Sequence, residues 1–290
     1  MKIKLMTDSA SDLPREITQK YDIAVVPFSL RKQDKEFVEG EDITSTEVLK
    51  GMRKGEVYKT VQVPPNTFYE AFNKFAEDYD CCIYIGFSSR LSGTFQTSVM
   101  IKNQINKEYS DYEIEVIDSR CASLGQGLVV LKAAEYLKNN SEKAQIKEKL
   151  IKKIKYEAEH MEHIFTVDDL EYLSRGGRIS KSKAFVGGLL NIKPILQVKD
   201  GELIPLSKAR GRKKVLNRMI KTARRRGVDL SRQLIGISHG DDKEGAQILK
   251  NMMEDNFDCQ EFLINTLGAT IGAHAGPGTL AVYFSSNPRI

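Results

Sequence analysis

The segment Cys81–Phe87 constrains the fold most, because it consists of apolar residues and one glycine without a charge. It is far shorter than the ~20 apolar residues that cross a bilayer. A run of this length is typical of a strand buried on both faces, and such strands occur in parallel sheets covered by helices. The segment continues through Ser88–Thr94 into a helix predicted to extend to about Ile105.

The rest of the first half repeats this alternation of strand and helix. We predict strands at Ile3–Met6, Ile23–Leu30 and Ile114–Ile117, and helices at Leu124–Leu137 and within Ser141–Glu159. Strands that alternate with helices indicate an α/β domain with a mostly parallel sheet.

The second half has a less regular pattern. A short helix is predicted to begin at Leu170 and to end at Gly176, and Asp200-Gly201 predicts a hairpin turn. Because 290 residues are many for a single core, we expect two domains. The predicted division is a parallel-sheet α/β domain at 1–160 and a mixed α/β domain at 161–290.

Composition indicates an ordinary globular protein, with 41% hydrophobic and 29% charged residues. The first residues lack the apolar stretch of a signal peptide, so a cytoplasmic protein is expected. Cys81, Cys82, Cys121 and Cys259 form no Cys-x-x-Cys motif and are predicted to be buried thiols.

Positive charge is concentrated in one stretch. Ser207–Arg226 holds ten Lys or Arg and no acid, whereas the whole chain has a net charge of +5. Such a stretch fits an anionic partner, namely nucleic acid, a membrane surface or an acidic protein face, or is simply a solvated helix face. Interleaved aromatic residues and zinc or helix-turn-helix patterns are missing, which disfavours nucleic acid.

The loop Ser88–Thr94 is the most informative local motif. It follows a buried strand and opens a helix, where backbone N–H groups and the helix dipole favour an anion. Capping of the helix by serine is the simpler interpretation. Loops at the carboxyl ends of parallel strands converge, so Asp8-Ser9 and Asp118-Ser119 are expected nearby.

Other catalytic signals are weak. No strand-to-helix turn carries a Gly-rich phosphate-binding motif, and the Gly-x-Ser-x-Gly elbow is missing. A hydrolase or phosphotransferase that uses Ser92 or His274 remains the alternative. His160 and His163 are predicted to lie three apart on a helix as part of a solvated face, so no metal site is expected. The glycine-rich segment Gly268–Gly278 indicates unusual dihedrals or a close backbone contact with another group, or simply a tight chain reversal before the last strand.

Six short motifs together resemble the DegV family, whose better-understood members are the fatty-acid-binding subunits of bacterial fatty acid kinase. The motifs, in the family's order, are Asp8–Pro14, Ser88–Thr94, Asp118-Ser119, Leu170–Ile179, Asn191–Leu196 and Ile271–Gly278. The resemblance implies a two-domain fold with the lipid site between or within the domains. One segment departs from the family pattern, since Val61, Val63 and Pro64 replace Ser, Pro and Ser.

The resemblance also implies a role and its residues. The family binds one long-chain fatty acid and presents the carboxylate to a separate kinase, which makes an acyl phosphate for phospholipid synthesis. By similarity, the carboxylate site consists of Thr60, Ser92, Gly93 and His274, and the kinase-facing surface contains Arg175, Arg178 and Arg210. The chain is then a carrier without its own catalysis or cofactor, expected as a monomer, with anionic membrane as a further contact.

Simple energetics agree with a carrier. Each buried methylene contributes about 0.8 kcal/mol, so a sixteen-carbon tail offers ~12 kcal/mol before ordering costs. Neutral hydroxyls and amides then suffice to satisfy and orient the carboxylate.

Overall fold

The computed structural model describes residues 1–142, 144–179 and 192–286. Asn191, the first residue of one motif, lies outside these ranges. The strands are β1 Ile3–Asp8, β2 Ala24–Val26, β3 Ser29–Lys32, β4 Lys35–Val38, β5 Lys59–Val61, β6 Cys81–Gly86, β7 Glu113–Asp118, β8 Met161–Thr166, β9 Ile192–Lys199, β10 Glu202–Arg210, β11 Leu234–His239, β12 Glu261–Thr266 and β13 Leu280–Ser285. The α-helices are α1 Arg15–Lys20, α2 Ser45–Arg53, α3 Pro65–Asn73, α4 Thr94–Glu108, α5 Leu124–Asn140, α6 Ile146–Glu159, α7 Leu170–Arg175, α8 Arg212–Arg226, α9 Lys243–Phe257 and α10 Ala269–Ala275.

Four of the described strands form a parallel sheet in the first half, in the order β2-β1-β6-β7. Every residue of β6 is buried, as its uninterrupted apolar sequence predicts. The predicted strand Ile23–Leu30 is wrong as a single element. It divides at Pro27, which has no N–H to donate, and the second part joins the small antiparallel sheet β4-β3-β5.

The second half contains a mixed sheet, in which six described strands have the order β10-β9-β8-β13-β11-β12. β11 and β12 are parallel, and the other neighbouring pairs are antiparallel. The predicted hairpin between β9 and β10 is confirmed, with Asp200 and Gly201 at φ 51° and 83° in the turn. The α/β fold class, parallel in the first half and mixed in the second, is therefore confirmed.

The histidine pair predicted on one helix face is wrong. α6 ends at Glu159, His160 follows as its C-cap, and His163 lies on β8. His163 is 2% exposed, so it belongs to the core and not to a solvated face. The charged sequence around it follows helical spacing only up to the end of α6, and the strand pairing of β8 with β13 then dictates the geometry.

Helix α5 lies between the two larger sheets. Its first eight residues are all buried, which is characteristic of a helix enclosed on every side. Gly127 packs against the backbone of Ser11 in the first half, whereas Leu128 approaches Gly236 on β11 in the second. One buried helix thus joins the cores of both halves.

Candidate ligand-binding cavity

A cavity of about 290 Å³ lies beside the N-terminus of α5, between the two larger sheets. Its volume is near the lower end of the ~300–1,000 Å³ typical of small-molecule sites. Both halves of the chain line it, through Phe28, Thr60, Gln62, Phe87, Leu91, Ser92, Gly93, Ala122, Ser123, His163, Phe165, Leu173, Arg178, Val198, Leu203, Leu267, Thr270, Ile271, His274, Ala275, Thr279, Ala281 and Tyr283. The lining combines a largely apolar wall with a few polar side chains, as expected for a site that holds an amphipathic molecule.

The loop Ser88–Thr94 forms one side of the cavity mouth. α4 begins at Thr94, and the Ser92 hydroxyl accepts a hydrogen bond from the Thr94 N–H at 3.2 Å. The Ser92 hydroxyl also donates to the Thr94 hydroxyl at 3.0 Å. Ser92 therefore bonds the first backbone N–H of α4 and lines the cavity at once, whereas the N-cap position is Gly93, which has no side chain to cap the helix. Gly93 follows it, exposed, at the same rim.

Thr60 and His274 form the opposite side of the mouth. The Thr60 hydroxyl lies 2.8 Å from Nε2 of His274. The ring of His274 sits directly over Gly176, where a Cβ atom would be 2.1 Å from Nδ1. Glycine at position 176 is therefore required for this position of the imidazole. The structure brings Thr60, Ser92, Gly93 and His274 to one cavity.

Electrostatics keep His274 neutral. Burial, followed by the nearby positive charge of Arg178, lowers the pKa of His274 to about 4. A neutral imidazole presents one donor and one acceptor, so His274 can hydrogen-bond an anion without adding a full charge.

Arg178 was predicted to lie on the kinase-facing surface, whereas its side chain lines the cavity. Its Nε donates to the Leu91 carbonyl at 3.0 Å, and Nη1 donates to the Gly176 carbonyl at 2.5 Å. The side chain is half-buried and lines the cavity near His274, and burial lowers the pKa of Arg178. It therefore supplies positive charge inside the mouth.

The other two predicted partner residues, Arg175 and Arg210, are exposed at the surface. Arg175 is exposed and forms an ion pair with Glu171 one turn away on α7. It lines an outer groove of about 260 Å³, which shares Thr60, Arg178 and His274 with the main cavity. Arg210 lies at the end of β10 in a separate basic groove with Lys214, Arg218 and Lys221. Arg175 and Arg178 therefore share the outer groove, and Arg210 lies in a different one.

The two strand-end acids that were expected near the loop Ser88–Thr94, Asp8 and Asp118, do lie beside it and hold the strand ends. Asp8 is fully buried and accepts hydrogen bonds from the Tyr84 hydroxyl at 2.6 Å and the Phe87 N–H at 2.8 Å. Burial raises the pKa of Asp8 to about 6. Asp118 accepts from the Ser89 hydroxyl at 2.5 Å. Asp118 therefore holds the loop Ser88–Thr94 through Ser89, Asp8 holds the end of β6, and neither carboxylate lines the main cavity.

Several lining residues were missed by the sequence analysis. Ser123 precedes α5 with φ 53° and ψ −147°, a conformation that side-chain-bearing residues rarely adopt, and its hydroxyl donates to Asp12 at 2.5 Å. Tyr283 and His163 reach the cavity from neighbouring strands of the mixed sheet. Their strand periodicity gives a facing direction but not the partner sheet, so the sequence carried no signal for this wall.

Two absences apply to the described ranges. Within residues 1–142, 144–179 and 192–286, no group of three or more His, Cys, Asp or Glu side chains is arranged to hold a metal ion. Over the same ranges, none of the helices combines the length and apolar content needed to span a membrane. The four cysteines, all described, are buried free thiols, which confirms the prediction for them.

The chain is similar to known proteins over nearly all its length. It matches the DegV family of uncharacterised proteins over residues 2–287. A DegV domain-containing protein from Caldanaerobacter subterraneus is 35% identical, and the match covers 98% of each chain. A fatty acid-binding protein from Thermotoga maritima is 33% identical, and the match covers 97% of this chain and 96% of the Thermotoga protein. A DegV family protein from Thermus thermophilus, described for fatty acid binding, has a solved structure with a TM-score of 0.89, 31% identity and coverage of 98% of this chain and 100% of its own. The chain therefore belongs to the DegV family.

Proposed function

We propose that this protein binds one long-chain fatty acid in the main cavity, with the carboxylate held by Thr60, Ser92, Gly93 and His274. The observation that carries the proposal is the apolar cavity whose mouth is lined by these polar groups. Fatty acid binding in relatives more than 30% identical supports it. The acyl tail then fills the cavity between its apolar walls. There each buried methylene contributes about 0.8 kcal/mol to the binding free energy.

The carboxylate head group would meet neutral hydrogen-bond donors and one cation of the protein in the same cavity wall. A carboxylate at the mouth would accept hydrogen bonds from the hydroxyls and from the amide at the start of α4, where the helix dipole favours an anion. Arg178 adds positive charge from the cavity wall, so it would attract the carboxylate of the ligand as well as any acidic partner.

The proposal extends to presentation of the carboxylate to a separate fatty acid kinase in the cytoplasm, for acyl-phosphate and phospholipid synthesis. The residues that line both the main cavity and the outer groove, Thr60, Arg178 and His274, form the boundary between the buried tail and the surface. A carboxylate at that boundary is reachable from outside. Arg175 in the outer groove and the exposed Arg210 are proposed contacts for the partner.

Lipid content tests the first part. Purified protein extracted with organic solvent should release about one fatty acid per chain by mass spectrometry, because a cavity with this apolar lining retains its ligand. Delipidated protein should take up one equivalent when fatty acid is added back. Repeated empty extracts together with no uptake would contradict the proposal.

A Ser92→Ala variant tests the second part. Removing this hydroxyl deletes a donor at the mouth and loosens Thr94, so we expect phosphorylation of the bound acid by a fatty acid kinase to fall by about tenfold. Lipid content should remain near one per chain, because the tail contacts are unchanged. Full phosphorylation rates in the variant would rule out Ser92 as a head-group ligand.

A further inference from the structure

One threonine that lines the main cavity has a hydroxyl without a hydrogen-bond partner. Among the described residues, four buried side-chain oxygen atoms lack a hydrogen-bond partner: Asp12 Oδ1, Gln126 Oε1, Ser207 Oγ and Thr270 Oγ1. Of these, only Thr270 belongs to a residue that lines the main cavity. Buried polar atoms are nearly always hydrogen-bonded, so this exception requires an explanation.

The other serine and threonine hydroxyls around the cavity are hydrogen-bonded within the protein. The Thr60 hydroxyl contacts His274, Ser92 contacts Thr94, Ser123 contacts Asp12, and Thr279 donates to the carbonyls of Ala275 and Gly276. Thr270 therefore differs from its neighbours, although it is only 3% exposed.

The position of Thr270 on its helix explains why the hydroxyl has no internal partner. It is the second residue of α10, so the carbonyls three and four residues earlier belong to the segment before the helix. Helical threonine normally divides between two χ1 rotamers because its hydroxyl bonds such carbonyls. Without that bond, a χ1 rotation that turns the hydroxyl toward the cavity breaks no hydrogen bond.

The same helix fixes the distance to the head-group site. Thr270 and His274 are four residues apart on α10, and residues at this spacing lie on one face with Cβ atoms about 5–6 Å apart. A ligand whose carboxylate contacts His274 therefore passes Thr270 with the first few carbons of its chain.

We infer that Thr270 determines specificity for acids that carry a hydroxyl group close to the carboxylate, of the 3-hydroxy long-chain class. The inference rests on the proposed function, because it assumes a carboxylate at His274. An apolar tail leaves the Thr270 hydroxyl unpaired, whereas a ligand hydroxyl at this depth pairs with it. A valine side chain has nearly the same shape and would fill the site without the unused donor and acceptor.

The test compares two acids in three proteins. Delipidated wild type, Thr270→Val and Thr270→Ser are titrated with hexadecanoic acid and 3-hydroxyhexadecanoic acid, and the ratio of the two dissociation constants is measured for each protein. Wild type is expected to bind the hydroxy acid at least as tightly as the plain acid. In Thr270→Val the ratio should shift by about tenfold against the hydroxy acid, because its hydroxyl is then buried without a partner.

Thr270→Ser keeps the hydroxyl and should therefore keep the wild-type ratio of dissociation constants. Binding of hexadecanoic acid by Thr270→Val shows that this variant is folded. The same ratio in wild type and Thr270→Val would overturn the inference while leaving the proposed function intact. If neither acid binds to the wild-type protein, the proposed function is wrong and the inference falls with it.

Discussion

Replacing Ala275 with phenylalanine is expected to abolish fatty acid binding while leaving the protein folded. Ala275 lines the cavity next to His274 on α10 and is 6% exposed. A benzyl group there enters existing empty space and displaces several methylenes of the ligand. At about 0.8 kcal/mol per methylene, the loss of affinity is about 100-fold or more.

The measurement is lipid content by mass spectrometry together with thermal unfolding of the delipidated proteins. Because the ring fills a cavity, the empty variant should be at least as stable as the empty wild type. Ala275→Ser serves as the small-residue control, since it adds one atom and leaves the cavity open. Full lipid occupancy in Ala275→Phe would show that the acyl chain lies elsewhere.

Replacing Asp8 with alanine is expected to cause the largest loss of stability, about 4 kcal/mol or more in the free energy of unfolding. Besides Tyr84 and Phe87, its carboxylate accepts from Gln126 Nε2 and from the Ala10 N–H, both at 3.1 Å. Alanine would leave the donors of Tyr84, Phe87 and Ala10 buried without this acceptor, whereas Gln126 Nε2 would keep its contacts to the Thr7 hydroxyl and the Ile85 carbonyl. Urea denaturation at pH 7 measures the effect, and a loss below ~1 kcal/mol would mean that the network contributes little.

Asp8→Asn provides the matched control and a pH test. Because the pKa of Asp8 is raised to about 6 in the folded protein, the native state binds more protons than the unfolded chain between pH ~4 and 6. Stability due to this group therefore decreases as the pH rises through that range. The free energy of unfolding of wild type minus that of Asp8→Asn should fall from pH 4 to 6 and level off above it. A difference independent of pH would contradict the raised pKa.

Local patterns predicted much of the first half. The apolar run of β6 determined a buried parallel strand, and the polar loop after it determined a helix N-terminus, since both depend on neighbouring residues only. The proposed head-group residues followed from family motifs. Their spatial grouping is observed, and their role in binding stays a prediction.

Long-range packing explains what the sequence could not supply. The strand predicted across Pro27 failed because two sheets compete for that segment. His163 was placed on a helix because the charged residues around it continue the helical spacing, whereas the register of β8 against β13 buries it. The cavity wall contributed by Tyr283 depends on a contact between distant segments, which no local pattern encodes.

The burial of α5 has a consequence for how the chain is divided. The proposed boundary at residue 160 separates the sheets, yet α5 precedes that boundary and packs on strands that follow it. A fragment ending at 160 would leave a broad apolar face of this helix in water, and a fragment starting at 161 would lack the helix its sheet packs against. We therefore expect the two halves to unfold as one cooperative unit, and the domain boundary at residue 160 stays a prediction.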